Sequence, residues 1–157
     1  MAQGTEKYLE FQLGEKSFAL PIAHIREIME YPAVESVSGA PSQVLGVMNL
    51  RGNLVVVFDI AHCLEQRSEP ISNKTCVIIT ENHGHGAIGY KVDVVKQVFD
   101  INLDHLESVP QLKGRLESPM INAVAKLQNR MLTILDSDKL LSDEMWRWMN
   151  NKSLVSE

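Results

Sequence analysis

The chain has 157 residues, 45% of them apolar and 22% charged, the composition of a packed globular domain rather than a disordered one. Fifteen Lys and Arg against 20 Asp and Glu leave a formal charge of −5 with no basic run, which argues against general nucleic-acid binding. The longest apolar stretch, Leu54 to Phe58, is far short of the ~20 residues of a membrane helix. The opening residues lack the basic-then-apolar pattern of a signal peptide, and two cysteines, Cys63 and Cys76, make neither a disulfide framework nor a metal cluster. The expectation is a cytoplasmic, mildly acidic domain without direct membrane insertion.

In chain order, Tyr8 to Leu13 alternates apolar and polar residues, Gly14-Glu15-Lys16 breaks the pattern, and Ser17 to Leu20 resumes it before Pro21. This predicts a hairpin. Ile22, Ile25, Ile28 and Met29 have helical spacing and predict a helical turn entering a third strand at about Glu27 to Tyr31. Ala40 to Leu45 predicts one short helical turn stopped by Gly46. Gly46 to Leu50 and Asn53 to Phe58 flank Arg51-Gly52, where Gly52 can supply the positive φ of a tight turn and leave Arg51 exposed at its tip. The second strand of this pair carries Leu54, Val56 and Phe58 on one face and Val55 and Val57 on the other. A strand apolar on both faces must be covered twice, here by its own barrel interior and by a neighbouring lobe.

A short helix over Ala61 to Leu64 then gives way to the polar stretch Glu65 to Lys74, a connector. Thr75 to Thr80 predicts a strand, Glu81 to Gly86 a turn, and Ile88 to Asp100 one long bent strand. Asp104 to Pro119 is loop-rich, with a helical turn at Asp104 to Glu107. Met120 to Leu127 and Arg130 to Leu135 form a last hairpin about Gln128-Asn129, and a C-terminal helix follows over about 137–149 with Leu141, Met145 and Trp148 as its buried stripe.

The chain repeats itself. At an offset of 77 residues Gly46–Asp59 overlies Ala123–Asp136, each copy a strand, a polar two-residue turn, a strand, an Asp and a short helix. At an offset of 70 residues Ile25–Glu30 overlies Val95–Asp100, apolar on apolar and charge on charge except for Glu27 against Gln97. Two lobes of about five strands follow, at roughly 8–64 and 75–141 with the connector at 65–74. Each has the size of a small SH3-like barrel, too small to bury much surface alone and better stabilised as a pair.

Gly46-Val47-x-Asn49-Leu50-Arg51-Gly52, followed by a β-branched strand and Asp59, resembles the CheW family of chemotaxis coupling proteins. The likeness spans nearly the whole chain. It takes in Phe11-Gln12-Leu13-Gly14 with Phe18-Ala19-Leu20, and Ile25-Arg26-Glu27-Ile28 as the family's "V-x-E-I" element. It continues through Ile88-Gly89 with Val92-Asp93-Val95, and Asn129 to Asp136 with Leu140-Leu141. Val56, Ala61-His62 and Ala123 depart from the common pattern and leave its Asn-Leu-Arg-Gly core intact. The resemblance implies a mainly β fold, two SH3-like five-stranded barrels packed together, and a non-catalytic adaptor without cofactors. Its implied partners are the cytoplasmic tip of chemoreceptors, the regulatory domain of the CheA-type histidine kinase, and CheW-like ring neighbours, so that it is recruited to membrane-associated receptor arrays. A pilus or gliding motility system is the alternative within the same family.

For individual residues two readings stand side by side. Arg51 is either a solvated turn-tip arginine or, by the motif, the receptor-contacting cation, whose planar fork suits carboxylates and amides. Gly46, Asn49, Leu50 and Gly52 shape the site around it, although backbone geometry alone could require the glycines. Ile25 is either core or, with Glu27, the lining of an inter-lobe groove for a receptor helix, its apolar wall extended by Val44 and Leu45. The groove is expected to be an uncharged cleft guarded by a lone cation. Asp59 and Asp136 are read as structural helix caps. A thiol or metal enzyme built on His62-Cys63 or His83-x-His85 is the remote rival. Zinc wants three protein ligands or more, and no third partner is assured, nor is a Gly-x-Ser-x-Gly elbow or a phosphate loop present.

Overall fold

The computed structural model describes residues 4–82, 86–108 and 120–151. The first hairpin is β1 (Thr5–Leu13) and β2 (Lys16–Pro21), and a 3₁₀ turn over Ile22–His24 leads into β3 (Ile25–Glu30). The second hairpin, β4 (Val44–Leu50) and β5 (Asn53–Asp59), runs into the short helix α1 (Ile60–Cys63). After the connector come β6 (Cys76–Asn82), β7 (Gly86–Val92), β8 (Val94–Asn102) and β9 (Leu106–Ser108). The hairpin β10 (Ile121–Lys126) and β11 (Met131–Leu135) precedes the helix α2 (Asp143–Asn151).

The strands form two sheets, β8-β1-β2-β11-β10-β9 and β3-β6-β7-β5-β4. Neighbours are antiparallel except β11 with β2 and β5 with β7, which are parallel. These two exceptions are equivalent under the duplication. In units of the repeat, each sheet takes its first hairpin from one copy and its third, fourth and fifth strands from the other, with β9 added to one edge. The folded lobes are therefore not the contiguous segments 8–64 and 75–141, because the hairpins β1–β2 and β6–β7 are exchanged. The chain changes sheets at two equivalent places. One is the 3₁₀ turn after Pro21; the other is Asp93, whose N–H donates to the Gln12 carbonyl and whose carboxylate accepts from the Gly14 N–H at 2.6 Å.

Three apolar clusters explain the patterning. Met48, Leu50, Val55, Val57, Val77 and Ile79 fill one lobe, and Tyr8, Ala19, Ile101, Ala125, Leu132 and Ile134 fill the other. Between them lies the largest cluster, drawn from both sheets and both helices and including Leu9, Phe11, Val56, Phe58, Ile78, Tyr90, Leu135 and Met149. The doubly apolar β5 is accordingly covered twice, Val55 and Val57 by the lobe interior and Val56 and Phe58 by the junction. Leu54 is the exception, 50% exposed at the turn end of the strand.

Several local expectations give way. The helical turn entering the third strand is a single 3₁₀ turn over Ile22–His24, and the strand begins at Ile25 rather than about Glu27, with Ile25 and Ile28 already paired to β6. The turn expected over Ala40–Leu45 is not helical, since Val44 already pairs with Phe58. The single bent strand over Ile88–Asp100 is two strands in different sheets, β7 and β8. Leu106–Ser108 is a strand against β10 rather than loop, and the C-terminal helix starts later than 137. A 3₁₀ turn occupies Ser137–Lys139, and α2 begins after Ser142, whose hydroxyl accepts from the Met145 N–H at 3.3 Å. Leu141 and Met145 are buried as expected, Leu141 just ahead of the helix, while the third buried position is Met149 and Trp148 is only half-buried against the same cluster.

Candidate functional site

The turn between β4 and β5 has positive φ at both central residues, 50° at Arg51 and 91° at Gly52. This left-handed pair matches the twist of a two-residue hairpin. The Asn49 side chain accepts from the Gly52 N–H at 2.8 Å and so fixes the turn from inside. Leu50 is buried in the lobe interior and anchors the strand that carries the tip. Gly46 sits at a bulge in β4 with φ 150°, and a Cβ there would stand 2.0 Å from the Glu35 carbonyl oxygen. Its role is close approach, because Glu35 and Val47 exchange two backbone hydrogen bonds of 2.9 and 2.8 Å at that point.

Arg51 is not a lone cation. Its guanidinium grips Glu27 of β3 with both arms, Nη2 to Oε1 at 2.6 Å and Nη1 to Oε2 at 3.2 Å. The arginine side chain is 63% exposed and the glutamate 28%. Hydrogen bonding from Arg51 holds the Glu27 carboxyl below the usual range, with help from the Arg51 and Arg26 charges. Glu27 uses two of the five N–H donors of the guanidinium, which leaves donors directed at solvent.

Ile25 and Val44 are half-buried on the margin of the junction cluster together with Ile22 and Val47. Leu45 faces the other way, against the first-lobe interior, so it does not extend the wall of Val44. Asp59 and Asp136 occupy equivalent positions. Asp59 accepts from the Ala61 N–H at 3.1 Å and Asp136 from the Asp138 N–H at 3.0 Å. Asp59 also receives the Ser68 hydroxyl.

A second arginine clamp escaped the sequence reading. Glu10 of β1, whose side chain is 1% exposed, is held by Arg130 through Nη1–Oε2 at 2.6 Å and Nη2–Oε1 at 2.8 Å. The Arg130 guanidinium also lies over the Phe99 ring, 5.5 Å from its centroid. The alternation of Tyr8 to Leu13 makes Glu10 a polar position, yet it is buried, and Tyr8 lies in the second-lobe interior. The available signal was the mismatch of Glu27 with Gln97: the second lobe lacks the acid on its third strand and supplies one from β1 instead.

Nucleophilic chemistry finds no support at Cys63. Burial pushes its thiol up to about 12, with the Asp59 charge adding to the effect. Among the described residues no three His, Cys, Asp or Glu side chains converge as a metal site. His83 and His85 lie outside the described residues.

Comparison with known proteins agrees with this architecture. Residues 7–145 match the CheW-like domain model. The chemotaxis protein CheW of Klebsiella aerogenes is 29% identical over 146 residues, covering 93% of this chain and 87% of the relative. Protein PilI of Pseudomonas aeruginosa is 28% identical over 115 residues, covering 73% of this chain and 64% of the relative. Among solved structures, the scaffolding protein TtCheW of Thermoanaerobacter tengcongensis superposes with a TM-score of 0.77 over 84% of this chain and 89% of that one, at 24% identity. The chain belongs to the CheW-like domain family.

Proposed function

We propose that this protein is a non-catalytic adaptor of a chemosensory system, linking the cytoplasmic tip of chemoreceptors to the regulatory domain of a CheA-type histidine kinase. The carrying observation is Arg51, displayed on a rigid tip within Asn49-Leu50-Arg51-Gly52 and held in aim by Glu27. A receptor helix laid along Ile25 and Val44 would bring its carbonyls or carboxylates to the unused donors of Arg51 or displace Glu27 from it. Binding through exposed charges weakens as salt rises.

Two exposed apolar pairs support ring-forming neighbours as further partners. Ile28 and Leu54 on one lobe and Val98 and Met131 on the other are exposed, and each is the other's equivalent in the duplication. Among the described residues no helix is long and apolar enough to cross a membrane, and the protein would reach the array by docking from the cytoplasm. The similarity to PilI supports a pilus-type system as the second reading.

The test is reconstitution of receptor, kinase and adaptor with phosphate incorporation as the readout. Arg51→Glu keeps its amide spectrum and loses receptor-dependent activation. Full activation by a folded Arg51→Glu protein would overturn the assignment.

A further inference from the structure

The connector Glu65–Lys74 is not a free linker. None of its ten residues is buried, and Ile71 is 57% exposed, so apolar packing does not hold it down. Local turn hydrogen bonds hold its ends, Gln66 N–H to the Ala61 carbonyl and Ser72 N–H to the Thr75 hydroxyl, and its middle is attached through two buried charges. Lys91 of β7, 3% exposed, donates from Nζ to the Glu69 carbonyl at 2.8 Å and lies 3.5 Å from the Ser68 hydroxyl. Asp59, 5% exposed, accepts the hydroxyl of the same Ser68. Lys91 also pairs with Asp93 at 3.5 Å, and Asp93 in turn holds the Gly14 N–H of the β1–β2 turn. One polar chain, Asp59–Ser68–Lys91–Asp93–Gly14, therefore ties the connector to both sheets at the end of β5 remote from Arg51. Beside it, an open groove of about 690 Å³ lies between the connector and the β1–β2 turn, lined by Leu13, Lys16, Arg67, Pro70 and Asp93 among others.

We propose that residues 65–74 are a strap latched by Lys91 and Ser68, which opens as a unit while both lobes stay folded. The argument is one of unequal attachment. The lobes are joined by exchanged hairpins and a shared apolar core, whereas the strap, between short-range turn hydrogen bonds at its two ends, is held at its middle by hydrogen bonds to one ammonium and one carboxylate. Segments with few apolar contacts open at low cost relative to global unfolding. A hydrogen bond to a charged group is worth enough to hold such a segment closed most of the time. Opening uncovers Lys91 and Asp59 and removes one wall of the groove.

The strap carries Arg67 and Lys74, so trypsin reads its opening in the intact protein. When closure is faster than cleavage, the rate follows the population of the open form. In the wild-type chain cleavage after Arg67 and Lys74, followed by mass spectrometry, should be slow. Ser68→Ala, which removes the part-buried hydroxyl and leaves the Lys91–Asp93 ion pair, should speed it about tenfold while thermal unfolding stays cooperative. Lys91→Met should speed it further; if that variant fails to fold, Ser68→Ala alone decides. Wild-type cleavage as fast as in an unfolded peptide, or a Ser68→Ala rate within about twofold of wild type, overturns the latch. Neither outcome bears on the Arg51 assignment.

Discussion

At the residue scale, two glycines of the same motif separate by mechanism. A Cβ at Gly46 would collide with the Glu35 backbone oxygen, whereas one at Gly52 meets nothing within 4 Å. Gly46→Ala should cost about 3 kcal/mol and break the Glu35–Val47 bridge, while Gly52→Ala should cost about 1 kcal/mol, the strain of a left-handed residue alone. Urea denaturation of both variants checks the order, and equal losses would count against the close-approach account. Ile25→Asp should weaken binding of a soluble receptor-tip fragment by more than about 1 kcal/mol, read by NMR titration. Shifts confined to the second lobe would refute the groove. Glu10 supplies a pH signature. Hydrogen bonds from Arg130 hold its folded-state carboxyl below the usual value, so its stabilisation is present above the unfolded carboxylate range. That stabilisation is lost as pH falls through the depressed folded value. Glu10→Gln should cost about 1–3 kcal/mol at neutral pH, with the gap from wild type narrowing in acid; a gap independent of pH would show that charge is not its source.

At the element scale, the two aspartate caps are sequence copies with different loads. Asp136 is half-buried and caps only the 3₁₀ turn, while the buried Asp59 caps α1 and holds Ser68 as well. Asp136→Ala should lose about 1 kcal/mol, as N-caps do, and Asp59→Ala more than that. Thermal melts of the pair decide it, and the reverse order would mean that the Ser68 contact contributes nothing. The short α2 depends on docking rather than on propensity, since nine residues are marginal as an isolated helix. Its buried Met149 is the anchor.

At the scale of the molecule, exchange of the first hairpins makes each lobe incomplete without the other half of the chain. β1–β2 has no β3 to β5 beside it; its sheet is completed by β8, β11 and β10. A fragment ending in the connector should therefore give the narrow amide dispersion of an unfolded chain, and mixing it with the complementary fragment should restore dispersion. An N-terminal fragment that folds alone would contradict the exchanged topology. Whole-chain unfolding should be one transition, because the largest apolar cluster belongs to both lobes at once.

The local signals that survived folding are those a few neighbouring residues decide. The Arg51-Gly52 turn is set by Gly52 and by Asn49 three positions earlier, and the double covering of β5 is written in five consecutive apolar residues. The duplication, too, lies open in the chain, since equivalent strands need equivalent residues. Partners distant in sequence were decided by the tertiary structure. Glu10 and Arg130 are 120 residues apart, and only the placing of β1 in one sheet with β10 and β11 brings them together. Which lobe receives which hairpin is likewise silent in the pattern, because each first hairpin carries apolar residues both for a lobe interior and for the junction. The choice falls to the crossings at Pro21 and Asp93, where backbone geometry and one carboxylate direct the chain into the opposite sheet.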